Sequence, residues 1–159
     1  SQFYIIMHMN RNKAVMKDCA QQVQYTRNEE MLHAQVGIKL INTLREEYPD
    51  LFDDELEARV REECIDALKA ESKVIDWIMG GYQTDGLSAS ILKSFIAKRM
   101  AESLDQIGFD SSEIIYNQDE IDQTFWFDEE LLGANMTDFF QKRPVEYAKG
   151  QGITADDLF

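Results

Sequence analysis

Apolar residues recur at steps of three and four through most of the first two thirds of the chain, the period of a helix buried on one face. The first such run extends from about Ala14 to Glu47 and stops before Pro49. Val23, Thr26, Glu30, His33, Gly37, Ile41 and Leu44 fall on one side of it, and Leu32, Val36 and Leu40 widen that stripe. The pattern predicts that this side faces a core. A second helix follows Asp53 or Asp54, either of which can cap it, and ends at Gly80-Gly81. Its inward positions are Leu56, Val60, Cys64, Leu68, Ile75 and Ile78. The turn Gln83-Thr84-Asp85-Gly86 leads into a third, with Leu87, Ile91, Phe95, Met100 and Leu104 inward before Gly108.

Both ends of the chain read differently. The opening SQFYIIMHMNRN looks like a helix entered partway along, with no capping residue to begin it. Its apolar residues at 3–9 are expected to lie bare unless another part of a bundle packs on them. After Gly108 the period fades. Residues 109–138 set Tyr116, Phe125, Trp126 and Phe127 among acids, which predicts short helices or irregular structure on the surface. The final stretch, FFQKRPVEYAKGQGITADDLF, holds Pro144, Gly150 and Gly152 and ends in an acidic-apolar tip. It reads as a mobile tail over 139–159, following a helical domain over 1–138.

Composition narrows the function classes. A chain of 159 residues can bury a real core as one domain, and only two prolines and eight glycines interrupt it, which favours an all-α fold. The formal charge of −14, from 30 acidic and 16 basic residues, argues against nucleic acid and against an anionic membrane surface. Basic partners suit it better. Cys19 and Cys64 have no close spacing, and no secretion signal precedes them, so reduced thiols in a cytoplasmic protein are expected. No apolar run approaches the length of about 18 residues that a membrane-spanning helix needs.

One short motif carries chemistry. Glu30-Met31-Leu32-His33 is an E-x-x-H on a helix, and residues three apart lie on the same side, where a carboxylate and an imidazole can approach one metal ion. On a core-facing stripe, a Glu costs several kcal/mol (roughly) unless a cation neutralises it. Di-metal carboxylate bundles take two such pairs from two helices and single carboxylates from two others. This chain has one pair. Its other histidine, His8, has no carboxylate three residues before it. On the motif alone, a solvated Glu beside a solvated His remains open. The acids at 45–73 read as a solvated helix face with pairs such as Glu57–Arg61.

The flanking residues add a resemblance. QYTRNEEMLHAQVGIKLINTLREEYPDLF is similar to the segment of class I ribonucleotide reductase small subunits that carries the second E-x-x-H pair, with Gly37 and Leu40-Ile41-Asn42-Thr43 following it. GLSASILKSFIAKRM resembles a later helix of that family, through Phe95-Ile96 and Arg99. FFQKRPVEYAKG resembles its Phe-Phe…Arg…Glu-Tyr element, through Phe139-Phe140, Arg143 and Glu146-Tyr147. The three blocks stand in the family's order.

The resemblance implies a ferritin-like helical bundle with a flexible C-terminal tail, and a dinuclear centre of iron, or of manganese and iron. Glu30 and His33 match ligands of one ion, and Tyr147 matches the tail tyrosine that relays the radical to the large subunit. The tip Asp156-Asp157-Leu158-Phe159 resembles the segment that docks there. Glu29 stands where the family generally has an Asp on the transfer path, and Asn28 replaces a usual Arg. The family's first half supplies the remaining ligands, one of them a Glu just before its Phe-Tyr stretch, which is similar to Phe3-Tyr4. The resemblance thus implies a C-terminal fragment or split half of a ribonucleoside-diphosphate reductase small subunit. Its partners would be an N-terminal half, the large subunit and a second small subunit in a dimer. The alternative is a non-catalytic interaction protein that binds the large subunit without metal chemistry.

Overall fold

The computed structural model describes residues 1–136. Helix α1 (Gln2–Lys13) is followed by α2 (Lys17–Glu47), a 3-10 turn at Pro49–Leu51, α3 (Asp54–Met79), α4 (Ala89–Gln106), the short α5 (Gln118–Asp122) and α6 (Phe125–Met136). Among the described residues there is no strand, only an isolated antiparallel bridge between Thr84 and Leu87. No helix of the described residues is long and apolar enough to cross a membrane. The expected tail over 139–159, with Tyr147, lies outside the described residues.

Local chemistry sets the helix ends. The carboxylate of Asp53 accepts from the Leu56 amide at 2.8 Å, capping α3, and Gly80 closes it in the left-handed conformation at φ +52°. Ser88 caps α4 in the same way through the Ile91 amide. The helix expected from Ala14 instead begins at Lys17, because Ala14 and Met16 adopt φ of +53° and +58°. Each such residue costs roughly 1–2 kcal/mol. The break lets α1 fold back along α2, so that Met7 and Val23 share one core.

Helix α4 is the centre of the packing. One side joins Tyr4 and Met7 of α1, Val23 of α2, Ile75 and Met79 of α3 and Phe127 of α6 around Leu92 and Phe95. Its other side carries Ala97, Ala101 and Leu104 against Phe109 and Ile114, with Leu56, Val60, Cys64 and Leu68 of α3 packed alongside. The Glu57–Arg61 pair forms at 2.8 Å, as the spacing predicts. Cys19 is exposed, Cys64 is half-buried, and the two are not bonded to each other.

Three expectations about burial need correction. The segment 3–9 is not bare: Tyr4, Met7 and His8 are buried and Phe3, Ile5 and Ile6 pack against the same core. Their cover comes from the turn at 84–87 and from α6, far away in sequence. Tyr4 donates to the Gly86 carbonyl at 2.8 Å and accepts from the Trp126 indole at 3.2 Å. Ile78 faces outward rather than inward. Most consequentially, the apolar stripe of α2 meets no core among the described residues beyond Arg27. Leu32, Val36 and Leu40 are 63%, 68% and 58% exposed, and Met31 and Leu44 are exposed with them.

Candidate metal centre

Helix α2 changes character halfway along. Ala20, Val23 and Arg27, spaced by three and four, are its buried positions. Every residue from Glu29 to Val36 is then exposed. Glu30 and His33 lie within this bare stretch, with side chains 64% and 74% exposed. The Glu30 on a buried stripe that the periodicity predicts is therefore not found: the stripe exists, but nothing among the described residues covers it.

The pair nevertheless comes together. His33 Nδ1 and Glu30 Oε2 are 3.5 Å apart across one helical turn. Glu30 also lines a cleft of about 560 Å³ between α1, α2, α3, α4 and α6, to which α3 contributes Glu71. Ser1, Gln2, Phe3 and Tyr4 form one wall, Arg27 and Glu30 another, and Phe95, Arg99, Phe127 and Asp128 the floor. The start of α1 and the E-x-x-H turn thus share one space.

Charge in the cleft is balanced by design of the packing. Arg27 is buried; it donates to the Phe127 carbonyl at 2.9 Å and stacks with its guanidinium carbon 3.5 Å from the Phe127 ring centre. Burial pushes this guanidinium down to about 10, opposed by the neighbouring Asp128, so it stays cationic at neutral pH. Asp128 in turn is held by Arg99 of α4. Periodicity could not single out Arg27, because an arginine is expected outside a core; its position one turn before Glu30 was the available signal.

The donor set of this turn is one carboxylate and one imidazole. A carboxylate and an imidazole three residues apart fit the ligand chemistry of iron or manganese. Among the described residues, no group of three or more His, Cys, Asp or Glu side chains is placed to hold an ion. His8 is engaged elsewhere, its Nε2 lying 3.0 Å from the Asp85 carbonyl oxygen and 2.9 Å from Asn12 Nδ2. Glu29 is exposed and, as the next residue along, projects about 100° around the helix from Glu30. Asn28 is half-buried, and its Oδ1 has no partner.

Comparison with known proteins gives this arrangement a context. A family model described as ribonucleotide reductase, small chain, matches residues 1–124. The ribonucleoside-diphosphate reductase subunit beta of Aquifex aeolicus (strain VF5) is 33% identical over 126 residues, covering 76% of this chain and 17% of that protein. A probable ribonucleoside-diphosphate reductase small subunit from Invertebrate iridescent virus 3 is 27% identical over 157 residues, covering 98% of this chain and 40% of that protein. The chain spans less than half the length of either relative.

Proposed function

Since the chain belongs to the ribonucleotide reductase small-chain family, we propose that it is the C-terminal fragment or split half of a ribonucleoside-diphosphate reductase small subunit. In this reading it supplies one Glu-x-x-His half of a dinuclear metal centre. The observation that carries the reading is the coincidence of Glu30 and His33, 3.5 Å apart, with an uncovered apolar ridge on the same helix. Leu32, Val36 and Leu40 follow one another at steps of four beside the pair. Covering such side chains is worth about 1.5–3 kcal/mol each, enough to hold a partner helix that brings further ligands. The N-terminal half of the subunit is that partner.

When bound, a dinuclear centre of iron, or of manganese and iron, supplies oxygen activation and storage of one oxidising equivalent. This chain's residues do the rest. Glu30 and His33 hold one ion from α2; the covering half closes the ridge and excludes water from the pair. Glu29, one residue before the ligand Glu, keeps a carboxylate at the start of the transfer path. Tyr147, in a docking tail over 139–159 that follows the helical domain, relays the equivalent to the large subunit, which reduces ribonucleotides to deoxyribonucleotides. The working assembly is a dimer of small subunits in the cytoplasm.

Reconstitution with an N-terminal half and a large subunit tests this. Glu30→Ala is expected to abolish both metal binding and turnover, whereas Tyr147→Phe should keep the metal and stop turnover. Full turnover with Tyr147→Phe removes Tyr147 from the path. An assembly that binds the large subunit but takes up no metal replaces the proposal with a non-catalytic interaction protein.

A further inference from the structure

Arg27 is the last buried residue of α2 before the exposed run that contains Glu30 and His33. Among the described residues the turn that carries the pair is itself exposed, and α2 is held on either side of it: by Asn42 and Arg45 further along and, nearer to the pair, by the contacts made one turn earlier. Arg27 Nη1 donates to the Phe127 carbonyl at 2.9 Å and lies 3.6 Å from the sulfur of Met7. Its Nη2 is 3.5 Å from Asp128 Oδ1, and Asp128 is clasped by Arg99. One side chain therefore ties α2 to α1, to α6 and, through Asp128, to α4.

Arg27 precedes Glu30 by three residues, so both stand on the same side of α2 and line the same cleft. We propose that Arg27 is a positioning residue for the Glu30–His33 pair, acting through Phe127 and Asp128 to hold the pair's turn at the cleft. This rests on the reading of Glu30 and His33 as metal ligands. Groups that orient a ligand without touching the ion commonly change metal affinity by about 10–100-fold when removed. The fixed fork of an arginine suits the task, because it engages the carbonyl and the carboxylate from two nitrogens held in one plane, where a lysine offers a single point charge on a flexible stem.

Cobalt(II) titration of the chain reconstituted with an N-terminal half of the small subunit, followed by the ring signals of His33 in NMR spectra, tests the proposal without any enzymatic readout. Glu30→Ala should abolish the shared binding at His33. Arg27→Leu, which keeps apolar bulk, should bind about tenfold more weakly with its helical circular dichroism unchanged, and Arg27→Lys should recover part of the loss. Asp128→Asn, which leaves the bond to the Phe127 carbonyl in place, should weaken binding by a smaller factor and decides the matter if Arg27→Leu fails to fold. Unaltered affinity in the folded Arg27 and Asp128 variants, with Glu30→Ala still abolishing binding, overturns the positioning role alone. Wild-type binding by Glu30→Ala overturns the ligand reading and the positioning role with it.

Discussion

The guanidinium of Arg45 donates to the carbonyl oxygen of Ile107 at 2.7 Å, joining the end of α2 to the end of α4. Phe52 and Phe109 bracket the same guanidinium, with ring centres 4.6 and 4.5 Å from its central carbon. One turn earlier, Asn42 donates to the Gln106 carbonyl at 3.0 Å. Carbonyls that a helix end leaves unpaired are thus satisfied by the neighbouring helix. Arg45→Ala is expected to cost about 2–3 kcal/mol, read from urea denaturation, since it removes a charged hydrogen bond and two cation–π contacts. A loss under about 0.5 kcal/mol, typical of a surface change, would show that α2 and α4 do not depend on this link.

Gly108 closes the same corner. It sits at φ +76°, and a methyl group there would approach the Arg45 guanidinium carbon to 3.3 Å. Gly108→Ala should therefore destabilise by roughly 1–2 kcal/mol from the backbone conformation alone. Thermal denaturation of the single and double variants with Arg45→Ala will show whether the two effects add. Because the residues touch, a coupling of about 0.5 kcal/mol or more is expected.

Tyr4 is fully buried, and its hydroxyl links the 84–87 turn to α6 through Gly86 and Trp126. Tyr4→Phe should lose about 1–3 kcal/mol, because it strands two polar partners while leaving the ring in place. Near-ultraviolet circular dichroism should change at Trp126, whose ring centre lies 5.0 Å from that of Tyr4. An unchanged aromatic spectrum and an unchanged midpoint would contradict the assigned hydrogen bonds.

Much of this fold is legible from local chemistry. The Asp53 cap, the Gly80 stop and the inward set Leu87, Ile91, Phe95 and Leu104 follow from residues within a few positions of one another. The break between α1 and α2 has no such signal, since Ala14 and Met16 adopt left-handed conformations that neither glycine nor proline announces. Periodicity names a face of α2 but cannot say what covers it, which is why Glu30 was expected in a core and stands in the open. Burial of residues 3–9 depends on α6, more than a hundred positions away, and a residue pattern carries no such pairing. The Glu30–His33 pair was readable; the Arg27–Phe127–Asp128 contacts beside it were not.

Cys64 and Cys19 should differ in reactivity. Burial pushes the Cys64 thiol up, and Glu63 adds to it, so less thiolate forms at a given pH. Alkylation with iodoacetamide at pH 8, followed by mass spectrometry, should label the exposed Cys19 first. The sign for stability follows: a thiol whose folded pKa is raised contributes nothing adverse below its unfolded value and weakens the fold as pH rises from there through the folded value. Cys64→Ser should flatten that alkaline decline. Faster labelling at Cys64 would contradict its placement against the second core cluster.

The bare ridge of α2 predicts an unusual response to polar substitution. Leu40→Gln or Val36→Gln should change the stability of the isolated chain by no more than about 0.5 kcal/mol, because both residues are mostly exposed and neither belongs to a core cluster of the described residues. The same changes should reduce self-association in sedimentation experiments and weaken binding of an N-terminal half. A core-like loss of about 2 kcal/mol or more would mean that the ridge is covered within this chain.

The central claim, that Glu30 and His33 are one half of a shared metal centre, meets its most direct test in a count of metal. Iron and manganese should be measured, with the optical spectrum of an oxidised cluster, for the chain alone and after mixing with an N-terminal half of the small subunit. The account predicts little metal on the chain alone and about two ions per reconstituted bundle. Stoichiometric metal on the isolated chain, or none in the mixture, would contradict it.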